Sequence, residues 1–225
     1  FSVPYGYDRA EIIERLRATS YPAPGVTIQV TNHTEGDTET FVFSHDGGVG
    51  ELTASNVKSA PLADVVAFAG ETTYSDRATV VTDGGKVETR TVEREVTYQV
   101  GFTYTKRESV IKSYVNTIFT QDNGIHVTAF ERALMGVLNE KIRRSRLIPK
   151  GYELPSLNDY REGLNLTVAV TLQEPGFTGQ SKDKLTGSKV QNTLLADFTT
   201  HLERWVAGRG NAKTVEVFCK KVVDT

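Results

Sequence analysis

With a single cysteine, Cys219, among 225 residues, the chain can close no internal disulfide and build no cysteine-rich zinc site. The four histidines, His33, His45, His126 and His201, are scattered, and no two stand four apart as a zinc-binding helix requires. No apolar run approaches the length that spans a bilayer. The opening Phe1-Ser2-Val3-Pro4 has neither the basic nor the apolar region of a signal peptide, and Phe1 in place of Met points to a fragment or a processed chain. A cytoplasmic protein with no membrane attachment is the expectation. Charge of one sign is also scarce. The formal net charge is -2, although residues 1–110 are acidic and residues 111–225 basic. Any polyanion contact is therefore to be sought in the second half, and neither half is basic enough to define a nucleic-acid-binding domain by charge alone.

What remains is a globular composition, 38% apolar and 24% charged, long enough for one sizeable core. Asp8 with Glu11 forms a capping-box pattern for a short helix that Pro22 and Pro24 terminate. Val26–Val30 and Phe41–Phe43 read as a hairpin around Glu35-Gly36-Asp37, and Val65–Ala69 as a strand. Thr79–Val92 alternates around Asp83-Gly84-Gly85, a strong hairpin signal whose charges, Lys86, Arg90 and Arg94, read as a solvated face. Val96, Tyr98, Val100, Phe102 and Tyr104 mark one face of the next strand, and Ser113–Phe119 reads as another. Phe130, Leu134, Val137, Leu138 and Ile142 share a helix face. The basic run from Lys141 through Arg143, Arg144 and Arg146 to Lys150 closes that helix, where the macrodipole favours cations. Val190, Leu194, Leu195, Phe198, Leu202, Trp205 and Val206 predict a long amphipathic helix, ended by Gly208 and Gly210 in the left-handed conformation. Cys219 reads as a small buried hydrophobe on a last helix. These elements define an α+β fold, a mixed sheet with helices on one face.

The chemistry concentrates between Pro175 and Lys189. Gly176 and Gly179 give a flexible approach to Gln180, Ser181, Lys182 and Lys184, with Asp183 the only acid. An amide and two ammonium groups at a loop tip suit a phosphate oxygen. By spacing alone, a solvated loop with surface lysines is the simpler reading.

The wording of the stretch goes further. Phe177-Thr178-Gly179-Gln180-Ser181-Lys182 resembles the QTK loop of the ATPase subunit of bacterial type IIA DNA topoisomerases, gyrase B and the ParE-like subunit of topoisomerase IV, with Ser181 for Thr. Asn116–His126 followed by Phe130 resembles a second motif of that family, with Asn123 for the first of two glycines and Ile125 for Thr. Asp159-Tyr160-Arg161-Glu162-Gly163-Leu164 resembles a third. The resemblance implies a transducer domain of the ribosomal-protein-S-five-like second-domain fold over 21–207, with 76–95 an inserted β-hairpin. Residues 1–20 would be a connector and helix from the ATP-binding domain, and 208–225 the start of a helix leading to the DNA-cleavage region.

It further implies that Gln180 and Lys182 reach the γ-phosphate of ATP, Lys182 being the catalytic residue. ATP and Mg2+ would be held mainly by the ATP-binding domain of the same subunit, with no metal on this chain. The other partners implied are DNA, a gyrase A or ParC-like subunit and a second copy of the subunit. Gln121, Lys141, Arg143, Arg144 and Arg146 are the candidates to face DNA, and Gln121 falls where some relatives carry arginine. Asp46-Gly47-Gly48-Val49-Gly50 matches a nucleotide-binding box of the neighbouring domain, but no helix carrying a catalytic Glu and a metal-binding Asn precedes it. It reads as a glycine turn opening a helix. With no nucleophilic tyrosine, no acidic Mg2+ cluster and no complete nucleotide pocket, the chain is expected to have no turnover of its own. The alternatives are a transducer of a MutL-type mismatch-repair ATPase, which the Gln180-Ser181-Lys182 wording disfavours, and a free-standing nucleic-acid-binding module, which the charge balance disfavours.

Overall fold

The computed structural model describes residues 8–34, 37–81, 84–149 and 151–225. The N-terminal stretch before Asp8, the residues Glu35, Gly36, Thr82 and Asp83, and Lys150 lie outside them. Helix α1 (Arg9–Ser20) opens as its pattern predicts, with the Asp8 carboxylate accepting from the Glu11 N–H at 3.1 Å. Strands β1 (Ile28–Thr34) and β2 (Asp37–Phe43) pair antiparallel as a separate two-stranded sheet. Helix α2 (Gly48–Asn56) follows.

The main sheet contains β3 (Val66–Val81), β4 (Val87–Tyr104), β5 (Val110–Val115), β6 (Ile118–Phe119) and β7 (Leu164–Leu172) in the order β3-β4-β7-β5-β6. Only the β5–β7 pair is parallel, so the sheet is mixed. β7 accompanies β4 from Val96 to Tyr104. Beyond Val96, β3 and β4 continue alone as a ribbon to Val81 and Val87, unbroken from the sheet through the 76–95 stretch. The stretch read as one strand from Ser113 to Phe119 is instead a tight hairpin. Asn116 (φ 49) and Thr117 (φ 67) both take left-handed backbone, the requirement of a two-residue type I′ turn, and Val115 pairs with Ile118.

Helices α3 (Ile125–Ser145), α5 (Ser188–Ala207) and α6 (Ala212–Val223) cover one face of this sheet. Short α4 (Leu157–Arg161) leads into β7. The alternating residues Val96, Tyr98, Val100, Phe102 and Tyr104 all point into the core, against Phe130, Phe198 and Phe218. Fully burying such side chains contributes about 1.5–3 kcal/mol each. The opposite face carries α2, which packs Val49 and Leu52 against Tyr21, Tyr114 and Ala169. Its close approach depends on Gly101, where an added Cβ would stand 2.5 Å from Thr53 Oγ1.

Two sequence expectations need correcting. Gly208 (φ -67) is extended, not left-handed; α5 ends because the Gly208 N–H bonds back to the Arg204 and Trp205 carbonyls and Asn211 Nδ2 donates to Trp205 O at 2.8 Å. Arg94 is buried, not on a solvated face. It shares its side of β4 with Val96 and Tyr98, so strand alternation turns its stem toward the core.

Candidate functional site

Strand β7 delivers the chain into the basic loop, and Asn116 fixes the point of departure. Its side-chain amide donates to Leu172 O at 3.0 Å and accepts from Leu172 N at 2.9 Å, which locks the end of β5 to the end of β7. The stem of the loop is a two-stranded clip, β8 (Gly176–Phe177) with β9 (Leu185–Thr186). Leu185 is fully buried and Phe177 packs on the core, so the clip is anchored by its apolar residues.

The turn before α3 forms the platform beneath. Asn123 takes a left-handed φ of 59, which asparagine tolerates better than most residues. Leu185 N–H donates to Asn123 O at 3.2 Å, Asp122 N–H to Asp183 O at 2.9 Å, and Thr178 N–H to Lys184 O at 3.0 Å. Gly124 (φ 155) lies so close to β9 that an added Cβ would meet Leu185 N at 2.6 Å and Leu185 O at 2.7 Å. Two motifs about 60 residues apart in sequence are therefore one structural unit: the first is the seat, the second the loop that rests on it.

Above the seat the tip is free. The side chains of Gln180, Ser181, Lys182 and Lys184 are exposed, and among the described residues none of them has a hydrogen-bond or ion-pair partner. Lys182 sits at a φ of 60, a strained backbone for a lysine. Two unpaired ammonium groups and an amide on a clamped stem can approach an anionic ligand without first breaking a bond within the chain.

His126, the last residue of the second motif, is fully buried in the first turn of α3, and neither ring nitrogen has a partner among the described residues. Burial pushes its pKa down to about 3, so the ring is neutral and cannot serve the loop as a base near pH 7. The third motif is structural. Arg161 forms a two-pronged pair with the buried carboxylate of Glu131, at 2.7 and 2.6 Å. Asp159 completes a capping box with Ser156, which holds its carboxyl below the usual carboxylate range. Gly163 (φ 74) passes Thr105 O so closely that a Cβ would stand 2.3 Å away.

The DNA-facing candidates lie apart from the loop, except Gln121. Gln121 is exposed in the turn that seats the clip. Lys141, Arg143, Arg144 and Arg146 cluster at the far end of α3, where Arg146 caps the helix in left-handed conformation. Arg143 and Arg144 both bind Glu140, at 2.7 and 2.8 Å. Lys141 and Arg144 line a groove of about 680 Å³ between α3 and α5, in the company of Glu140 and Glu203. This end is mixed in charge, and the basic run has less free cation than its sequence indicates.

The glycine box at Asp46–Gly50 is the opening turn of α2, with Gly48 at a φ of 54. His45 beside it stacks on Tyr21 at 3.7 Å and pairs with Glu51 at 2.8 Å. Among the described residues no group of three or more His, Cys, Asp or Glu could hold a metal ion. Sequence reasoning missed Asn116, Glu131 and Arg94 as organising residues. Asn116 lay inside a stretch that reads as strand, and Arg94 was signalled only by its parity with Val96.

The architecture is that of solved gyrase and topoisomerase IV chains. It superimposes on the 43K ATPase domain of Thermus thermophilus gyrase B, solved with an aminocoumarin, with a TM-score of 0.71 at 24% identity, covering 98% of this chain and 54% of that one. It matches the topoisomerase IV ATP-binding domain of Francisella tularensis, solved with a small-molecule inhibitor, with a TM-score of 0.72 at 21% identity, covering 100% and 55%. The family model for DNA gyrase B matches residues 53–225, and this chain belongs to that family. The DNA gyrase B protein of Thermotoga maritima is 31% identical over 218 residues, 96% of this chain and 31% of the relative. Its counterpart from Cytophaga hutchinsonii is 28% identical over 221 residues, 96% of this chain and 42% of the relative. The chain thus spans less than half the length of these curated relatives.

Proposed function

We propose that the chain is the transducer part of the ATPase subunit of a type II DNA topoisomerase, and that Gln180 and Lys182 read the γ-phosphate of ATP. The observation that carries this reading is the free basic tip on a stem clamped at three backbone positions. A phosphate sensor needs both properties: donors with no competing partner, and a fixed place to hold them.

ATP is the substrate, and the residues present fit one corner of it. Lys182 supplies a positive charge and Gln180 a neutral amide donor. In this reading Mg2+ and the rest of the nucleotide are held by the ATP-binding domain of the same subunit. When that domain lies against the loop and water is excluded, the Lys182 ammonium favours the phosphoryl oxygens as negative charge gathers on them. The stem, tied to the start of α3, connects that contact to the body of the domain. In the holoenzyme the chain would work with DNA, a gyrase A or ParC-like subunit and a second copy of its own subunit, and alone it would have no turnover.

The test is made in the full-length subunit. Lys182→Ala should lower ATPase turnover by about a hundredfold, equivalent to about 3 kcal/mol of barrier. Gln180→Ala should lower it less, and the melting temperature of both variants should barely move. Alanine keeps the Cβ and thus the backbone strain at this position, so the change reports on the ammonium group. Near-normal turnover in Lys182→Ala, or an equal loss in Lys184→Ala, would refute the assignment.

A further inference from the structure

Four charged side chains, spread over 113 residues of sequence, meet where the β3–β4 ribbon leaves the main sheet. Arg94 pairs across the strands with Tyr74, which places Asp76 diagonally next to it on the same face. The Arg94 guanidinium, only 10% exposed, has Asp76 at 3.5 Å and donates to Glu174. Asp76 also accepts from Lys189 Nζ at 3.2 Å. Glu174 stands between β7 and the clip, and Lys189 in the first turn of α5. The two residues therefore bracket the whole basic loop, one at each root.

The charges balance, two positive against two negative. Arg94 is the buried member, so its charge depends on these partners, whereas both carboxylates reach solvent. Glu174 holds a φ of 48, a backbone that glutamate seldom adopts and that the bond to Arg94 helps to maintain. Two further side-chain pairs on β4, Arg90 with Glu88 and Ser75 of β3 with Glu93, are exposed and stay within the ribbon. Only the Arg94 cluster links the ribbon to the loop among the described residues.

We infer that Arg94 is a positioning residue: through Glu174, and through Asp76 and Lys189, it fastens both roots of the basic loop to the β3–β4 ribbon. The inference rests on the phosphate-sensing reading for its functional consequence, though not for its geometry. The ribbon is then a lever on the loop. A partner or neighbouring domain that tilts it moves both roots together and so shifts where Lys182 stands, without touching the tip.

The experiment uses the full-length subunit with Arg94→Gln, Arg94→Lys, Glu174→Gln and, as a ribbon control, Arg90→Gln. Amide exchange is read at Thr178 and Leu185, whose N–H groups bond within the clamped stem. Arg94→Gln and Glu174→Gln should speed exchange there about tenfold, Arg94→Lys should recover part of the protection, and Arg90→Gln should match the wild type. ATPase turnover in Arg94→Gln should fall about tenfold with little change in KM, and combining it with Lys182→Ala should cost no more than Lys182→Ala alone. If Arg94→Gln does not fold, Glu174→Gln, whose side chain is 78% exposed, carries the same comparison. Unchanged loop exchange in both Arg94→Gln and Glu174→Gln overturns the brace whatever Lys182→Ala does. Faster exchange together with normal turnover in Lys182→Ala leaves the brace standing and overturns the phosphate-sensing reading instead.

Discussion

Replacing His126 by leucine should remove a pH dependence of stability that the wild type carries. The ordinary histidine pKa is 6.5, and burial lowers it to about 3 in the folded chain. Between those values the unfolded chain takes up a proton that the folded chain refuses. The stability is complete above pH 6.5 and declines as pH falls toward 3. At pH 5 the ring lies about 1.5 units below its unfolded pKa, and at about 1.36 kcal/mol per unit the loss is about 2 kcal/mol relative to pH 7.5. His126→Leu has nothing to protonate, and since neither ring nitrogen has a partner among the described residues, it gives up no hydrogen bond to this chain. Urea unfolding of both proteins at pH 7.5 and 5.0 gives four stabilities. The carboxylates and the other histidines titrate alike in both and cancel in the difference. The wild type should lose about 2 kcal/mol more than His126→Leu on acidification. Identical losses, to within about 0.5 kcal/mol, would show that the imidazole is hydrated or paired and that the burial argument fails.

The seat of the loop gives the next expectation: Gly124→Ala drives a methyl into the Leu185 backbone and should cost about 3 kcal/mol in denaturant unfolding, with protease cleavage appearing first near Leu185. Arg161→Ala leaves the Glu131 carboxylate buried without its cation and should cost about 3 kcal/mol, the low end for such pairs because Arg161 is half-exposed; adding Glu131→Gln should recover much of the loss in the same unfolding assay. DNA binding by the chain should be weak and independent of sequence. With Arg143 and Arg144 sharing Glu140, log affinity should fall with log salt with a slope of only about -2 to -3 in fluorescence anisotropy, and a sequence-specific footprint would contradict the reading.

Much of the fold is local, and the local part was legible. The 3.6 period of Val190, Leu194, Phe198 and Leu202 needs no knowledge of its partner to predict α5, and the alternation from Val96 to Tyr104 predicts a strand with one buried face. Left-handed backbone at Asn123 is compatible with its residue type, since asparagine tolerates it better than most residues. The hairpin at Asn116-Thr117 was lost because its apolar flanks run on at the strand period and Thr117 is a poor turn residue. The motifs named the loop, but pairing Leu185 with Gly124 is a non-local event that periodicity does not encode. The same holds for the Arg94 cluster, whose four members come from β3, β4, the chain beyond β7 and α5. His126 shows a different limit. Sequence gives the residue but not whether a buried polar atom finds a partner.

Helix α3 begins at the seat of the basic loop and ends in the Arg143–Arg146 cluster. Twenty-one residues at about 1.5 Å each separate those ends by about 30 Å. The Debye length in physiological salt is about 8 Å, so neither end senses the other's charge through solvent. No single phosphate can be shared between them, and no ion pair can trade one site against the other. Whatever passes between a nucleotide at the tip and a polyanion at the far end has to travel as movement of a rod whose near end is pinned by backbone bonds. Salt should thus weaken contacts at either terminus while leaving the connection between them intact.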